Sequence, residues 1–399
     1  MVTKESNILM ITINYIYFIL TGSALLLSWL AFRPCLNYAR KHNIVDHPNK
    51  RKLQDHPVPV LGGVAVAVGI FIPILFAYFY YGFIDIKYEL FVMVALLIVG
   101  VLDDIFDISA WLRMIIEVAL VWFLVWKTHA QIDDLHGLFG RIDPISVYSA
   151  LPLSLLAGVG IINAINLIDG VDGYSSGYGI VANTLFAIVF FYVGDIASAI
   201  FSAVAAAALV PFYLHNVFGD KSKMFIGDGG SLLIGMVMVC DVFALLTHQT
   251  SGTTLEQHGV GVVALALAIL CIPVFDTLRV MFARILHKQS PLWPDKTHLH
   301  HRFIALGFSH AGTSTCIVLT NLIIVGLWYL SYRLGAGITL QFWIVVLLGL
   351  LATCGFYYGT EYCEKQNNAL YRFLTRLGNW SHFERKGFWL KIQNLIDKI

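Results

Sequence analysis

The chain reads as an all-α polytopic integral membrane protein. Hydrophobic residues fill 58% of its 399 positions and charged residues only 13%, and mean hydropathy is +0.74. Soluble domains are about a quarter charged. Apolar runs close to the roughly 20 residues that cross a bilayer recur at 8–32, 58–80, 88–102, 110–126, 150–167, 174–193, 197–214, 229–247, 259–285, 314–333 and 339–359. About eleven transmembrane helices are therefore expected. The third and fourth runs are short, and the sixth and seventh are separated by little more than Gly194-Asp195.

The first run is too long for a signal-peptide core and meets basic residues from Arg33 onward, so it is expected to stay in the membrane. No soluble domain or internal repeat interrupts the series. One transmembrane catalytic domain over 1–360 is expected, followed by a tail over 361–399. That tail mixes Tyr371, Phe373, Leu377, Trp380, Phe388, Trp389 and Leu390 with seven basic residues, a composition suited to an interfacial amphipathic helix. The six cysteines lie mostly in or beside apolar segments without metal-ligand spacing, as small core residues do. The net charge of +1 says nothing about partners, whereas the distribution of charge does; no nucleic-acid partner is expected.

An odd number of spans puts the termini on opposite sides. One face then receives 33–57, 215–228, 284–313 and the tail, with nineteen Lys and Arg; the other receives five. By the positive-inside rule the first face is cytoplasmic, the N-terminus outside and the C-terminus inside. The same face receives Asp103, Asp104, Asp107, Asp169, Asp172, Asp228 and the histidines at 298–301. Carboxylates at the edge of a bilayer are costly to desolvate and mark function.

VLDDIFD closes the third span; Asp107, if helical, returns to nearly the direction of Asp103 or Asp104. Three carboxylates in one turn repel one another unless a cation or proton relieves them. The plainer alternative is a solvated helix end, although acids are disfavoured at a helix C-terminus. In NAINLIDGVDG, Asn163, Asn166 and Asp169 recur every three residues along one stripe. A polar seam between spans would explain the asparagines but not the two further aspartates. In FIGDGGSLLIG a glycine-rich turn enters a helix, with Ser231 as a candidate cap. Such a turn offers N–H groups to a phosphate, and Asp228 there suits a single carboxylate ligand of Mg²⁺.

The 284–313 loop gathers His298, His300 and His301 with Lys296 and Arg302 as hydrogen-bond donors. They suit an oxyanion or a proton transfer, with a solvated basic loop as the alternative. The stretch HPNKRKLQDHP, with Lys50, suits a lipid phosphate, the anionic leaflet or simple topogenic charge. Arg113 and Glu117, spaced i, i+4, read first as an ion pair and second as groove-facing; Asp241 has no assigned role.

Together these motifs resemble the polyprenyl-phosphate N-acetylhexosamine-1-phosphate transferases, from about Asp46 to Phe303. LDDIFD is similar to that family's Asp-Asp-x-x-Asp motif, NLIDGVDG to its Asn/Asp motif, FIGDGGS to its glycine-flanked metal aspartate and HLHH to its histidine loop. The His-x-His-His form resembles the WecA-like branch, which uses N-acetylglucosamine. The resemblance implies a reaction of UDP-GlcNAc with undecaprenyl phosphate at the cytoplasmic face of a bacterial inner membrane. Mg²⁺ is the implied cofactor, with Mn²⁺ as a substitute, and the product would start O-antigen or enterobacterial-common-antigen type glycans.

It further implies that Asp228 binds the metal, with Asp104 completing its environment. Asp103 would position or deprotonate the lipid phosphate, and Asp169, Asp172 and Asn166 would hold the nucleotide end or metal waters. His298, His300 and His301, with Arg279 or Arg302, would steady phosphate and sugar. Direct attack by the lipid phosphate is favoured over a covalent intermediate, because an oxygen nucleophile is already present. The oligomeric state, a homodimer included, stays open. A secondary transporter is the rival class, but its ionisable residues would lie near the midplane; a CDP-alcohol phosphotransferase would concentrate its acids in one pair of spans.

Overall fold

The computed structural model describes residues 2–47, 56–82, 86–141, 143–291, 295–382 and 387–398. In chain order the elements are α1 (Val2–Lys41), β1 (Val45–Asp46), β2 (Val58–Pro59), α2 (Gly62–Tyr81), α3 (Lys87–Phe106), α4 (Ala110–Thr128), α5 (Val147–Leu167), α6 (Tyr174–Val193) and α7 (Ile196–Phe218). Then follow α8 (Gly227–Leu246), α9 (Ser251–Gln257), α10 (Val262–Ile269), α11 (Cys271–Leu286), α12 (Leu299–Ala305), α13 (His310–Arg333), α14 (Ile338–Leu350), α15 (Phe356–Lys365), α16 (Ala369–Trp380) and α17 (Phe388–Lys398). A π-helical turn, Leu351–Gly355, joins α14 to α15.

This is an all-α polytopic membrane protein. Among the described residues, eight helices are long and apolar enough to cross a bilayer, and the bent pair α10–α11 makes a ninth if it counts as one span. The remaining two apolar runs fall on α3 and α4, whose ends carry Asp103, Asp104 and Arg113. Outward-facing Phe18, Phe79, Ile98, Trp122, Leu156 and Ile188 are exposed, as lipid-facing side chains must be.

The expected continuous span at 259–285 is instead two helices meeting at 78°. Pro273 lacks an N–H, and its ring crowds the carbonyl four residues back, which favours a break at this point. Backbone groups freed inside hydrocarbon need other partners. Asn321 of α13 supplies them: its Nδ2 donates to the carbonyls of Ala268 (3.3 Å) and Ile269 (3.0 Å), and its Oδ1 accepts from the amide of Ile272 at 3.1 Å. The Tyr178 hydroxyl also donates to the Ile269 carbonyl at 2.6 Å.

At the centre stands α8, buried except at Asp228, Cys240 and Ala244. Its first turn touches the backbones of α2 and α3. A Cβ on Gly63 would lie 2.3 Å from the Gly230 nitrogen, and one on Gly100 2.3 Å from the Gly229 nitrogen. Only glycine permits that approach. Here α2 begins at the end of the β1–β2 hairpin, with Val45 opposite Pro59. The Gly62 and Gly63 amides donate to the carbonyls of Phe225 and Ile226 at 3.0 and 2.8 Å.

The opposite end of the bundle is closed by polar contacts of residues 131–136 with the α8–α9 turn and α9. There His248 Nδ1 lies 2.7 Å from Asp134 Oδ2, and His136 Nδ1 3.2 Å from Glu256 Oε2.

Candidate active site

The close crossing of α3 and α8 decides where two acids sit. Asp104, in the last turn of α3, accepts from the amides of Asp228 (3.0 Å) and Gly229 (3.4 Å) at the start of α8. Gly227 makes that turn with φ +74°, a left-handed conformation that costs glycine little. Asp104 and Asp228 therefore share one wall of a cleft of about 940 Å³. Asp169, Gly170 and Asp172 from the α5–α6 loop line it, as do Lys223, Phe225, His301 and His310.

These four carboxylates are thus drawn from three separate segments. Asp169 accepts from the Ser175 hydroxyl, and burial, with the charges of Asp228, Asp104 and Asp172, pushes its carboxyl well above the usual range. Burial also opposes the charge of Asp172, but His310 and Lys223 outweigh it and hold the carboxyl below its ordinary value. Lys223 Nζ lies 2.6 Å and His310 Nδ1 3.0 Å from Asp172 Oδ2.

Behind the wall, Arg113 reaches from α4. Its guanidinium donates to Asp103 Oδ2 at 2.7 Å and to Asn166 Oδ1 at 3.3 Å, and pairs with Asp228 Oδ2 at 3.5 Å and Glu117 at 3.6 Å. Asn166 in turn donates to Asp228 Oδ1 at 2.6 Å and to the Ser231 hydroxyl at 2.9 Å. The Arg113–Glu117 pair forms, and Arg113 also organises the acids.

Several expected positions differ. Asp103 is buried; its second oxygen accepts from the Ile108 amide at 2.8 Å, so both oxygens serve the α3–α4 corner. Asp107 does not return to the direction of Asp103 or Asp104. It leaves the helix with φ 52° as the α3 cap and is exposed. Ser231 does not cap α8, which starts at Gly227; its hydroxyl donates to the Asp228 carbonyl at 3.2 Å. Asn163 turns away, to Glu117 and the Val159 carbonyl. Asp241 accepts from Ser202 at 2.8 Å. Lys50 lies outside the described residues.

The histidine motif divides. His301 lines the cleft. His300 is buried against Gly170, where an added Cβ would lie 2.6 Å from its Nε2. His298 is the N-cap residue of α12, and its Nδ1 lies 3.0 Å from Asp276. Arg279 is tied to Asp276 (2.6 Å) and the Thr297 carbonyl (2.6 Å) and lies over the Tyr357 ring. Arg302 is tied to Thr360 (2.8 Å) and Glu364 (2.5 Å). Neither arginine lines the cleft; both brace the histidine segment from behind. Burial, followed by the charges of neighbouring histidines, pushes His300 well below the usual imidazole value. Burial, with His298 and Lys296, pushes His301 down to about 4. At neutral pH these rings offer hydrogen bonds rather than charge.

Asp276, Lys223 and His310 carry more than their sequence positions announce. Asp276 sits inside an apolar run and Lys223 in a loop of topogenic charge. Only the fold brings His310 to Asp172.

Fold and cleft together define a helical membrane protein with a carboxylate-rich site at one end of its spans. Residues 86–248 match glycosyl transferase family 4. The undecaprenyl-phosphate alpha-N-acetylglucosaminyl 1-phosphate transferase of Salmonella typhi is 30% identical over 358 residues, covering 87% of this chain and 91% of its own length. The Escherichia coli K12 protein of the same name is 30% identical over 346 residues, 85% of this chain and 88% of its own. A probable undecaprenyl-phosphate N-acetylglucosaminyl 1-phosphate transferase of Bacillus subtilis is 32% identical over 287 residues, covering 71% and 76%. The chain belongs to this family of polyprenyl-phosphate sugar-1-phosphate transferases, in the WecA-like branch.

Proposed function

We propose that this protein transfers N-acetylglucosamine 1-phosphate from UDP-GlcNAc to undecaprenyl phosphate, releasing UMP. The site faces the cytoplasm of a bacterial inner membrane, and the product starts a cell-surface glycan of the O-antigen or enterobacterial-common-antigen type. The observation that carries this reading is the cleft itself. Asp104, Asp169 and Asp228 converge there from separate segments at one end of the bundle, where a soluble nucleotide and a lipid headgroup can meet.

A lipid-phosphate oxygen forms the new bond to the sugar-bearing phosphorus while the bond to the UMP oxygen breaks. No enzyme nucleophile is needed. Asp103 is engaged by Arg113 and Ile108, so its part is to position Arg113 rather than to take a proton. Asn166 and Arg113 orient the Asp228 carboxylate from behind. Asp172, kept ionised by Lys223 and His310, presents an acceptor to a donor group of the nucleotide. Uncharged His301 hydrogen-bonds phosphate or sugar oxygens from the opposite wall.

An all-oxygen donor set of crowded carboxylates fits a hard divalent cation. Asp228 and Asp104 are the residues that would hold Mg²⁺ or Mn²⁺. When bound, the ion would offset the diphosphate charge and stabilise charge developing on the leaving UMP.

Purified protein, undecaprenyl phosphate, Mg²⁺ and UDP-[¹⁴C]GlcNAc should yield butanol-extractable label. EDTA should abolish it, and Asp228→Asn should lower it by about a hundredfold or more, the scale of losing one transition-state charge contact. UDP-GalNAc in place of the donor tests the sugar. Folded protein that labels no lipid with any UDP-sugar would sink the proposal.

A further inference from the structure

We propose that the C-terminal helices α16 and α17 form a docking surface for anionic membrane lipid, and that their inner faces brace Lys223 and His310, the two side chains that hold Asp172. The inference rests on the reading of the cleft as the substrate site.

The inner faces come first. Asp397 of α17 accepts through Oδ1 from the amides of Asp220 (3.1 Å) and Ser222 (2.9 Å) and from the Ser222 hydroxyl (2.8 Å). Its backbone carbonyl accepts from Arg33 of α1 at 2.8 Å, and Trp389 stacks on Phe218 of α7 at 5.7 Å. The turn so clamped carries Lys223, one partner of Asp172. The other partner, His310, is held the same way. Ser381, just past α16, accepts from the Ser309 amide (2.8 Å), and its carbonyl accepts from the Ser309 hydroxyl (2.7 Å). That hydroxyl also caps α13, whose first residue is His310. Two loops from distant parts of the sequence thus reach the same carboxylate, and both are pinned by the last twenty residues or so of the chain.

The outer faces point to what holds the helices down. On α16, Leu370, Phe373, Leu377 and Trp380 are exposed at a spacing of i, i+3, i+7, i+10. On α17, exposed Phe388, Lys391, Leu395 and Lys398 repeat that spacing. Arg372 and Arg376 flank the apolar stripe of α16. Both α1 and α7 are long and apolar enough to span the bilayer, and α17 meets α7 at its last residue, Phe218, which the proposal sets at headgroup level. Apolar stripes with Lys and Arg at that depth match the chemistry of an anionic leaflet: acyl chains for Phe and Leu, phosphates for the cations. The consequence is a cleft ordered best when the protein sits in a membrane bearing negative charge.

Hydrogen exchange tests this without substrates. Full-length protein is placed in nanodiscs of phosphatidylcholine alone or with phosphatidylglycerol, and exchange is followed at the amides of Asp220 and Ser222. Exchange should slow about tenfold in the anionic discs, the scale of one or two basic residues near a charged surface. The double variant Lys391→Gln/Lys398→Gln should lose that slowing, and Asp397→Ala should exchange fast in both lipids. Equal exchange of the unaltered protein in the two lipids overturns the proposal, as does a slowing that survives in the double variant. With substrates present, Asp397→Ala should raise KM for the UDP-sugar more than it lowers kcat. A protein with lipid-dependent exchange and no transfer would remove the proposed reaction and leave the docking surface standing.

Discussion

At the scale of single residues, one cation surrounded by four polar neighbours dominates. Arg113 serves Asp103, Asp228, Glu117 and Asn166. Removing it strands buried carboxylates, which costs about 3 kcal/mol or more. Arg113→Met should therefore lower both the melting temperature and turnover, and Arg113→Lys should restore only part, since an ammonium cannot reproduce the planar fork. Unchanged melting and turnover in Arg113→Met would show that the acids do not depend on it. His301 gives a pH signature. Its pKa, lowered by burial and then by His298 and Lys296 to about 4, lies below that of the unfolded chain, so the unfolded state binds the proton first. Stability from the neutral ring is full above about pH 6.5 and is lost as pH falls toward 4. Melting should decline over that window less steeply in His301→Gln than in the parent; parallel curves would refute the assignment.

Among the elements, the broken span was not legible. An apolar run reads the same whether straight or bent, and only Pro273 hinted at the break; the decisive partner, Asn321, lies about 50 residues away. Leu in its place would leave the Ile272 amide without that partner and the two carbonyls with one donor fewer. Asn321→Leu should cost about 1–3 kcal/mol, read as a fall in melting temperature, and no change would show that the break sustains itself. The aspartate motifs were legible as motifs because carboxylates beside glycines interrupt otherwise apolar runs. Their division of labour was not, since it depends on which side of the helix the fold turns to the cleft: Asp103 and Asp104 are sequence neighbours, yet only Asp104 lines it.

For the whole molecule, hydropathy located the long apolar helices, reading α10 and α11 as one and missing the short α9 and α12, and the distribution of basic residues grouped the acidic loops before any contact was known. The structure shows those loops meeting in one cleft; which side of the membrane they face is an expectation from charge. It can be checked with single cysteines in a variant lacking the six native ones. His258→Cys, at the far end, should react with an impermeant maleimide in intact spheroplasts, and Lys221→Cys only after permeabilisation. The reverse pattern would invert the molecule.

The burial of α8 also bears on biogenesis. Its principal neighbours α2, α3, α5 and α7 all precede it in the chain, so each has been synthesised before α8 emerges. Asp104 and Asn166 then wait in the nascent protein without their partner, because Asp228 arrives only with that helix. The acidic centre consequently waits for the middle of the chain, and is completed when a nearly enclosed helix joins neighbours made ahead of it.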